Sequence, residues 1–88
     1  MTAPPAARLT LVQRHECELC ETMQRELRAL ARKFPLPPLE VVDVDSDPQL
    51  TRRHGLDVPV LLLDGSVVCR HRLDAAELLR LLRAAAPA

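Results

Sequence analysis

The sequence is poor in aromatic residues and in cysteine, and it has no excess of charge of either sign. Phe34 is the single aromatic residue among 88, so aliphatic side chains must form the core of one small domain. Three cysteines are too few for a secreted scaffold held by disulfides, and the odd number leaves one thiol unpaired. Because 12 basic residues balance 12 acidic ones, we expect no nucleic-acid partner.

Signals for export and for membrane insertion are also missing. Residues 1–8 lack the basic start and apolar core of a signal peptide, and no stretch approaches the roughly 18–20 apolar residues that a membrane helix needs. We therefore expect a cytoplasmic protein that makes no membrane contact, and we expect a monomer. Residues 1–7 are predicted to be a flexible lead-in, and residues 8–88 are predicted to form a single domain.

A C-x-x-C motif, formed by Cys17 and Cys20, is the most informative feature that is present. It follows the apolar run at residues 9–12 and opens a segment, 17–34, with apolar residues at helical spacing. Two thiols one helical turn apart are close enough to form a disulfide. The unpaired N–H groups of that turn favour the thiolate, which is the nucleophile in disulfide exchange. Zinc sites share the spacing, but between a strand and a helix it is typical of a thioredoxin-like redox site.

Strand and helix signals alternate along the rest of the chain. Asp47 has the position of a helix cap, and Asp64-Gly65 predicts a hairpin turn. Asp74 with Glu77 resembles a capping box. The pattern predicts a β-α-β-α-β-β-α order, with elements at residues 8–13, 17–34, 39–44, 48–54, 59–63, 66–72 and after residue 74. The strand–helix–strand start implies a parallel pair with a right-handed crossover, and the hairpin adds an antiparallel edge.

This element order, with C-x-x-C opening the first helix and Val58-Pro59 opening the third strand, resembles the glutaredoxin branch of the thioredoxin fold. More narrowly, the sequence is similar to small glutaredoxin-like proteins whose motif is C-x-L-C. The resemblance covers residues 8–84. It implies an α/β fold of the thioredoxin-like, glutaredoxin type, with a four-stranded mixed sheet flanked by three helices. It implies the reaction only by analogy.

The resemblance also implies roles for individual residues. Cys17 matches the nucleophilic cysteine and Cys20 the resolving one, while Pro59 matches the cis-proline of the family. The backbone of Val58 would pair with an extended substrate beside the sulfurs. Residues 71–74 stand where glutaredoxins have the Gly-Gly-x-Asp stretch that helps to hold glutathione, so both glycines are absent and we expect weak use of glutathione.

The charges around the motif point to a reducing pair of thiols. Glu16, Glu18 and Glu21 surround Cys17, and like charge nearby disfavours the thiolate. We expect Arg14 and His15 to offset these carboxylates only partly. A less stabilised thiolate makes the corresponding disulfide a weaker oxidant.

Three other residues have structural and functional interpretations. Cys69 lies in the middle of a predicted strand, where a buried and inert thiol is the preferred interpretation over a regulatory one. His15 lies two residues before the motif, but it lacks the fourth ligand that a structural zinc site needs, so we predict no metal site. Arg72, near the start of the last helix, is a candidate contact for an anionic group of the substrate.

The leading hypothesis is a thiol–disulfide oxidoreductase that uses both thiols and acts as a disulfide reductase. The sulfurs carry the electrons, so no cofactor is expected. Its partners would be a disulfide-containing protein or small thiol substrate and an upstream thiol reductant. Two alternatives remain: a metal or iron–sulfur carrier that uses the same thiolates, and a non-catalytic interaction module with this fold.

Overall fold

The computed structural model describes residues 7–85 of the chain. Its elements are β1 Leu9–Gln13, α1 Glu18–Lys33, β2 Leu39–Asp43, a 3-10 helix Val44–Ser46, α2 Pro48–His54, β3 Val60–Leu63, β4 Ser66–Arg70 and α3 Ala75–Ala85. The predicted order is confirmed, with the 3-10 helix as an addition. In this part of the chain no helix combines the length and apolar character that crossing a bilayer requires. The predicted flexible lead-in falls almost entirely on residues 1–6, outside the described residues.

The four strands form one mixed sheet in the order β2-β1-β3-β4. β1 runs parallel to β2, starting with Leu9 opposite Leu39, and antiparallel to β3, where Leu11 faces Leu61. β3 and β4 form the predicted antiparallel hairpin. Because β1 and β2 are parallel, they need a crossover connection that returns the chain to the same end of the sheet. Helix α1 makes that connection. The sheet therefore has the mixed topology implied by the resemblance.

The two faces of the sheet carry separate hydrophobic clusters, and neighbouring residues of the central strands contribute to both. Side chains alternate between the faces of a strand, so Leu11 and Val12 point to opposite sides of the sheet. Leu11 belongs to a buried cluster with residues of α1 and α3, whereas Val12 packs with Val44 and Val60. The members of the larger cluster are Leu9, Leu11, Met23, Leu27, Leu61 and Leu78. Thus α1 and α3 cover one face, and the 3-10 helix and the start of α2 lie over the other.

Local signals in the sequence set the turns and the helix ends. The carboxylate of Asp47 accepts a hydrogen bond from the N–H of Gln49 at 3.1 Å and caps α2. Asp64 and Gly65 have φ angles of +50° and +85°, as a tight hairpin turn requires. Asp74 accepts from the N–H of residue 77 at 3.0 Å, but the carboxylate of Glu77 binds Arg80, so half of the predicted capping box is formed.

Candidate redox site

Cys17 and Cys20 form a disulfide at the N-terminus of α1. Cys17 is the N-cap residue, with extended backbone angles, and its Sγ accepts a hydrogen bond from the N–H of Cys20 at 3.2 Å. The two Cα atoms are 5.2 Å apart. Cys17 is half-buried, whereas Cys20 is 1% exposed. The structure therefore brings the predicted pair together, and Cys17 is the more exposed of the two residues.

The three glutamates flanking the pair are exposed. Glu16, Glu18 and Glu21 all reach solvent around the start of α1. Because these carboxylates are exposed to water, dissolved salt screens their electrostatic repulsion of a thiolate on Cys17. The basic residues expected to offset them are directed elsewhere, because Arg14 binds Asp45 and His15 lies 3.5 Å from a carboxylate oxygen of Asp43. Both bases therefore approach aspartates that follow β2 or end it, and neither is directed to the glutamates around Cys17.

Arg14 joins three segments of the chain next to the disulfide. Its Nε and Nη2 donate to the two carboxylate oxygens of Asp45 at 3.0 and 3.2 Å, and its Nη1 donates to the carbonyl of Gly55 at 2.8 Å. The β1–α1 loop, which leads to Cys17, is therefore fixed to the 3-10 helix and to the loop that leads to Val58. The planar guanidinium is suited to this forked geometry. Arg14 is consequently a structural bridge in this chain.

We expect the Arg14–Asp45 bridge to appear in a pH titration. Hydrogen bonding to Arg14 lowers the pKa of Asp45 from its ordinary value of 3.8. Since the pKa is depressed in the folded state, the bridge stabilises the fold above the ordinary value, and this contribution is lost as the pH falls through the lowered one. An NMR titration of the Asp45 carboxyl carbon should therefore show a midpoint below 3.8, which Arg14→Gln shifts upward.

A matched variant on α3 controls for general effects of removing an arginine. Arg80 lowers the pKa of Glu77 through a hydrogen bond of the same kind. Arg80→Gln should raise the pKa of Glu77 and leave the titration of Asp45 unchanged. A midpoint for Asp45 that does not respond to Arg14→Gln would show that the bridge is absent in solution.

Val58 and Pro59 lie at the same end of the sheet as the disulfide. Pro59 precedes Val60, which faces Val12 near the end of β1, and from there the chain continues to Cys17. The Val58–Pro59 peptide bond is cis, and the side chain of Pro59 is fully buried. Within residues 7–85, Val58 makes no backbone hydrogen bond, whereas the carbonyl of Pro59 accepts from the N–H of His71 at 2.8 Å.

Asp57 connects this segment to the end of β4. Its carboxylate oxygens lie 3.8 Å from Nε of Arg70 and 4.0 Å from Nε2 of His71. These contacts place Asp57 beside the end of β4, at the edge of the site. Asp57 was not predicted as a site residue, and its only signal in the sequence is its position next to Val58.

Arg72 lies near the C-x-x-C motif, as required of a substrate contact. It is exposed, and it lines a cavity of about 140 Å³ together with Leu19, which lies between the two cysteines. Arg70 and His71 approach Asp57, whereas Arg72 has no ion-pair partner among the described residues. The structure thus places Arg72 beside the motif with its charge available.

Cys69 lies apart from the motif, in β4, where it faces Leu61 and packs against the larger core. Its thiol is free and half-buried. Burial raises the pKa of Cys69 above its ordinary value of 9.0. Less thiolate is present at a given pH, and the thiolate is the reactive form. These features fit the interpretation of Cys69 as an inert thiol.

We expect Cys17 to be the fastest cysteine to react with iodoacetamide once the disulfide has been reduced. Cys17 is the more exposed member of its pair, and burial suppresses the Cys69 thiolate. Mass spectrometry of peptides from a time course measures each rate, and unfolded protein provides the control in which the three rates converge. Faster labelling of Cys69 than of Cys17 in the folded protein would contradict the assignment of the reactive sulfur.

Cysteine and histidine side chains near the motif are also possible ligands for a metal ion. In the part of the chain that the structure describes, no group of three or more His, Cys, Asp or Glu side chains is placed to hold an ion. His15, the third ligand considered for a site with Cys17 and Cys20, is instead directed to Asp43.

The sheet order, the helix positions and the disulfide at the tip of α1 define a protein of the thioredoxin fold with a C-x-x-C pair, and they indicate a redox function. More specifically, the chain belongs to the glutaredoxin-like domain family (DUF836), whose model matches residues 8–83. None of the curated proteins compared with the chain matches it.

Solved structures show the same relationship. The solution structure of protein Ne2328 from Nitrosomonas europaea is 30% identical, covers 92% of this chain and 96% of its own, and superposes with a TM-score of 0.78. Protein XcR50 from X. campestris is 34% identical over 88% of this chain and 97% of its own, with a TM-score of 0.60. Thioredoxin 1 from Thermosipho africanus is 19% identical, covers 88% and 96% of the two chains with a TM-score of 0.57, and supports the fold alone.

Proposed function

We propose that this protein is a thiol–disulfide oxidoreductase that reduces disulfides through Cys17 and Cys20. The observation that carries the proposal is the disulfide at the N-terminus of α1, which joins a half-buried Cys17 to a fully buried Cys20. The N–H of Cys20 already donates to the outer sulfur in the disulfide form. In the reduced form the same N–H would stabilise a thiolate on Cys17.

The reaction proceeds by two exchanges of sulfur bonds. The Cys17 thiolate attacks one sulfur of a substrate disulfide, the substrate S–S bond breaks, and the released thiolate takes up a proton. Cys20 then loses its proton and attacks Cys17 Sγ in the mixed disulfide, and the second substrate sulfur leaves. Two electrons pass to the substrate, and the Cys17–Cys20 disulfide remains. An upstream dithiol reductant restores the two thiols by the same chemistry.

The charges at the site support the direction that we propose for the reaction. Glu16, Glu18 and Glu21 are exposed around the start of α1, and the two basic residues that precede the motif in the sequence are directed toward Asp45 and Asp43. A thiolate that is weakly stabilised favours the disulfide form of its own pair, so the protein donates electrons more readily than it accepts them. We therefore place it as a reductase in a reducing compartment, the cytoplasm, working as a monomer.

The substrate would lie along the segment that contains Val58 and Pro59. The backbone of Val58 has no hydrogen-bond partner within residues 7–85, so it offers an open edge to an extended chain. Arg72 supports the binding of an anionic group because its charge is exposed beside the motif. These residues are the proposed substrate contacts.

A comparison of electron donors tests the proposal. We expect glutathione-coupled reduction of 2-hydroxyethyl disulfide to be at least about tenfold less efficient than with an ordinary glutaredoxin, because like charges close together oppose binding. The glutamates repel anionic glutathione, and residues 71–72 replace the two glycines. We expect better turnover with a donor of the thioredoxin reductase type. An ordinary glutaredoxin and a thioredoxin are the matched controls.

The other outcomes distinguish the alternative functions. Glutathione-dependent turnover equal to that of the control glutaredoxin would contradict the proposed reductant. A purified protein with the visible absorbance of an iron–sulfur cluster would favour the carrier. No turnover with either donor, together with an intact cellular role after replacement of both cysteines, would favour the interaction module.

A further inference from the structure

Cys17 and Val58, the nucleophile and the proposed backbone contact for a substrate, both lie outside the ladder that joins the central strands. The ladder between β1 and β3 ends where Val12 pairs with Val60. Cys17 follows Val12 in the chain, and Val58 precedes Val60, so each belongs to a loop that continues past this pair. The spacing between the sulfur and the Val58 backbone therefore also depends on contacts made outside the ladder.

One side chain connects the two loops. Arg14, in the loop that leads to Cys17, donates from Nη1 to the carbonyl of Gly55 at 2.8 Å, and Gly55 begins the segment that leads to Val58. Within residues 7–85 no other hydrogen bond joins residues 14–17 to residues 55–59. Arg14 is thus placed to set the distance between two loops that the sheet does not join.

The guanidinium of Arg14 is itself anchored. Its Nε and Nη2 donate to the two carboxylate oxygens of Asp45. Asp45 lies in the 3-10 helix, where its N–H donates to the carboxylate of Asp43 at 2.9 Å and the adjacent Val44 is fully buried. Two parallel hydrogen bonds fix the orientation of a planar guanidinium. The third bond, to Gly55, therefore starts from a group that is held in place.

Gly55 receives this bond where its loop packs closely against α2. Its N–H donates to the carbonyl of Thr51 at 2.9 Å, and a side chain at residue 55 would collide with the same carbonyl oxygen. Carbonyls at the end of a helix lack partners within the helix, and a positive group is favourable there. Arg14 therefore binds a fixed point at the start of the segment that leads to Val58.

We infer that Arg14 is a positioning residue for the reduction of polypeptide disulfides, which holds the backbone of Val58 at a fixed spacing from Cys17. The inference rests on the proposed function and names the class of substrate that depends on this contact. A polypeptide disulfide must meet the sulfur and the backbone edge at the same time, whereas a small disulfide meets the sulfur alone. Small displacements of groups that must act together lower the rate strongly.

The bridge affects position more than stability. The side chains of Arg14 and Asp45 are 38% and 52% exposed, and exposed ion pairs contribute little to the free energy of unfolding. Variants that lack the bridge should therefore remain folded. Their loops would keep their places in the chain but lose the contact that sets their separation.

A single turnover of the reduced protein provides the test. The protein is reduced with dithiothreitol, separated from it and mixed with an excess of oxidised substrate, so that no upstream donor takes part. The substrates are 2-hydroxyethyl disulfide and a disulfide-linked dimer of an extended peptide. We expect Arg14→Gln to lower the second-order rate constant for the peptide roughly tenfold, but that for 2-hydroxyethyl disulfide by less than about twofold.

Three further variants separate position from charge. Arg80→Gln is the matched control, because it removes an arginine from another surface ion pair and should change neither rate constant. Arg14→Lys keeps the positive charge but replaces the fork with a single ammonium group, so the peptide reaction should stay slow. Arg14→Gln combined with Asp45→Asn keeps the net charge of the wild type. This double variant should also be slow with the peptide, while the pH profile of iodoacetamide labelling at Cys17 stays as in the wild type.

Equal slowing of both substrates by Arg14→Gln, or a normal peptide rate in Arg14→Lys, would overturn the positioning role. Circular dichroism checks that each variant is folded, and the double variant supplies the comparison should Arg14→Gln be unfolded. A wild-type protein that reduces both disulfides, with a peptide rate that does not respond to loss of the bridge, contradicts this inference alone. A wild-type protein that reduces neither disulfide contradicts the proposed function and the inference with it.

Discussion

Replacement of Cys17 by serine should reduce disulfide turnover to the uncatalysed rate. A serine hydroxyl supplies no thiolate, and the thiolate is the nucleophile in the exchange. No neighbouring sulfur can replace it, because Cys20 is 1% exposed and Cys69 lies in β4 against the core. Reduction of a peptide disulfide, coupled to oxidation of the upstream donor, measures the loss directly.

Cys69→Ser is the matched control for this experiment, since it also removes one thiol from the chain. We expect it to retain wild-type turnover, because Cys69 is not part of the disulfide. Circular dichroism of both variants would establish that they are folded. Substantial turnover by Cys17→Ser, or its loss in a folded Cys69→Ser protein, would contradict the assignment of the site.

The second large effect is on stability. We expect Leu61→Ala to lower the free energy of unfolding by about 2–5 kcal/mol, the range for removing a buried leucine side chain. Leu61 is 0% exposed on the central strand β3, where it faces Leu11 and Cys69. The total free energy of unfolding of such a domain is roughly 5–15 kcal/mol, so the variant approaches the point at which the domain no longer folds. Urea denaturation of the reduced protein measures the change.

Leu56→Ala removes the same atoms from a surface position. Leu56 is 97% exposed, so its replacement should change the free energy of unfolding by no more than about 0.5 kcal/mol. Equal effects of the two substitutions would show that the side chain of Leu61 is not buried in the larger core. The pair of variants therefore tests the position of Leu61 in the larger core.

Much of the fold was predictable because its signals are local. Asp47 caps α2, Asp64 and Gly65 form the hairpin turn, and Cys17 begins α1, each through contacts within a few residues. The apolar spacing of the strands then fixes which side chains face the core. The disulfide was predictable for the same reason. A separation of three residues at a helix N-terminus brings the two sulfurs together regardless of the remaining structure.

Contacts between distant segments were not predictable. Arg14 was expected to influence the motif, yet it binds Asp45, which is 31 residues away, and the carbonyl of Gly55. Nothing in a sequence pattern shows which of several acidic residues an arginine will meet. Asp57 was missed for the same reason, because its contacts with residues 70 and 71 depend on how two loops pack.

Burial of polar residues was also difficult to predict. His54 ends a short helix next to two arginines, a setting typical of exposed side chains, but it is 9% exposed. Its Nδ1 has no hydrogen-bond partner within the described residues.

Similarly, Glu77 has the spacing of a capping box, but it binds Arg80 instead because that arginine lies one turn further along α3. Such outcomes depend on competing contacts that a sequence motif does not include.

Trapping of a mixed disulfide tests the central claim most directly. A protein with Cys20→Ser and Cys69→Ser is incubated with an oxidised peptide, and the product is analysed by mass spectrometry without reductant. We expect one peptide bound per chain, attached to Cys17 and released by dithiothreitol, because the resolving thiol is absent. A Cys17 thiol that remains unmodified in the folded protein would contradict its role as the attacking nucleophile.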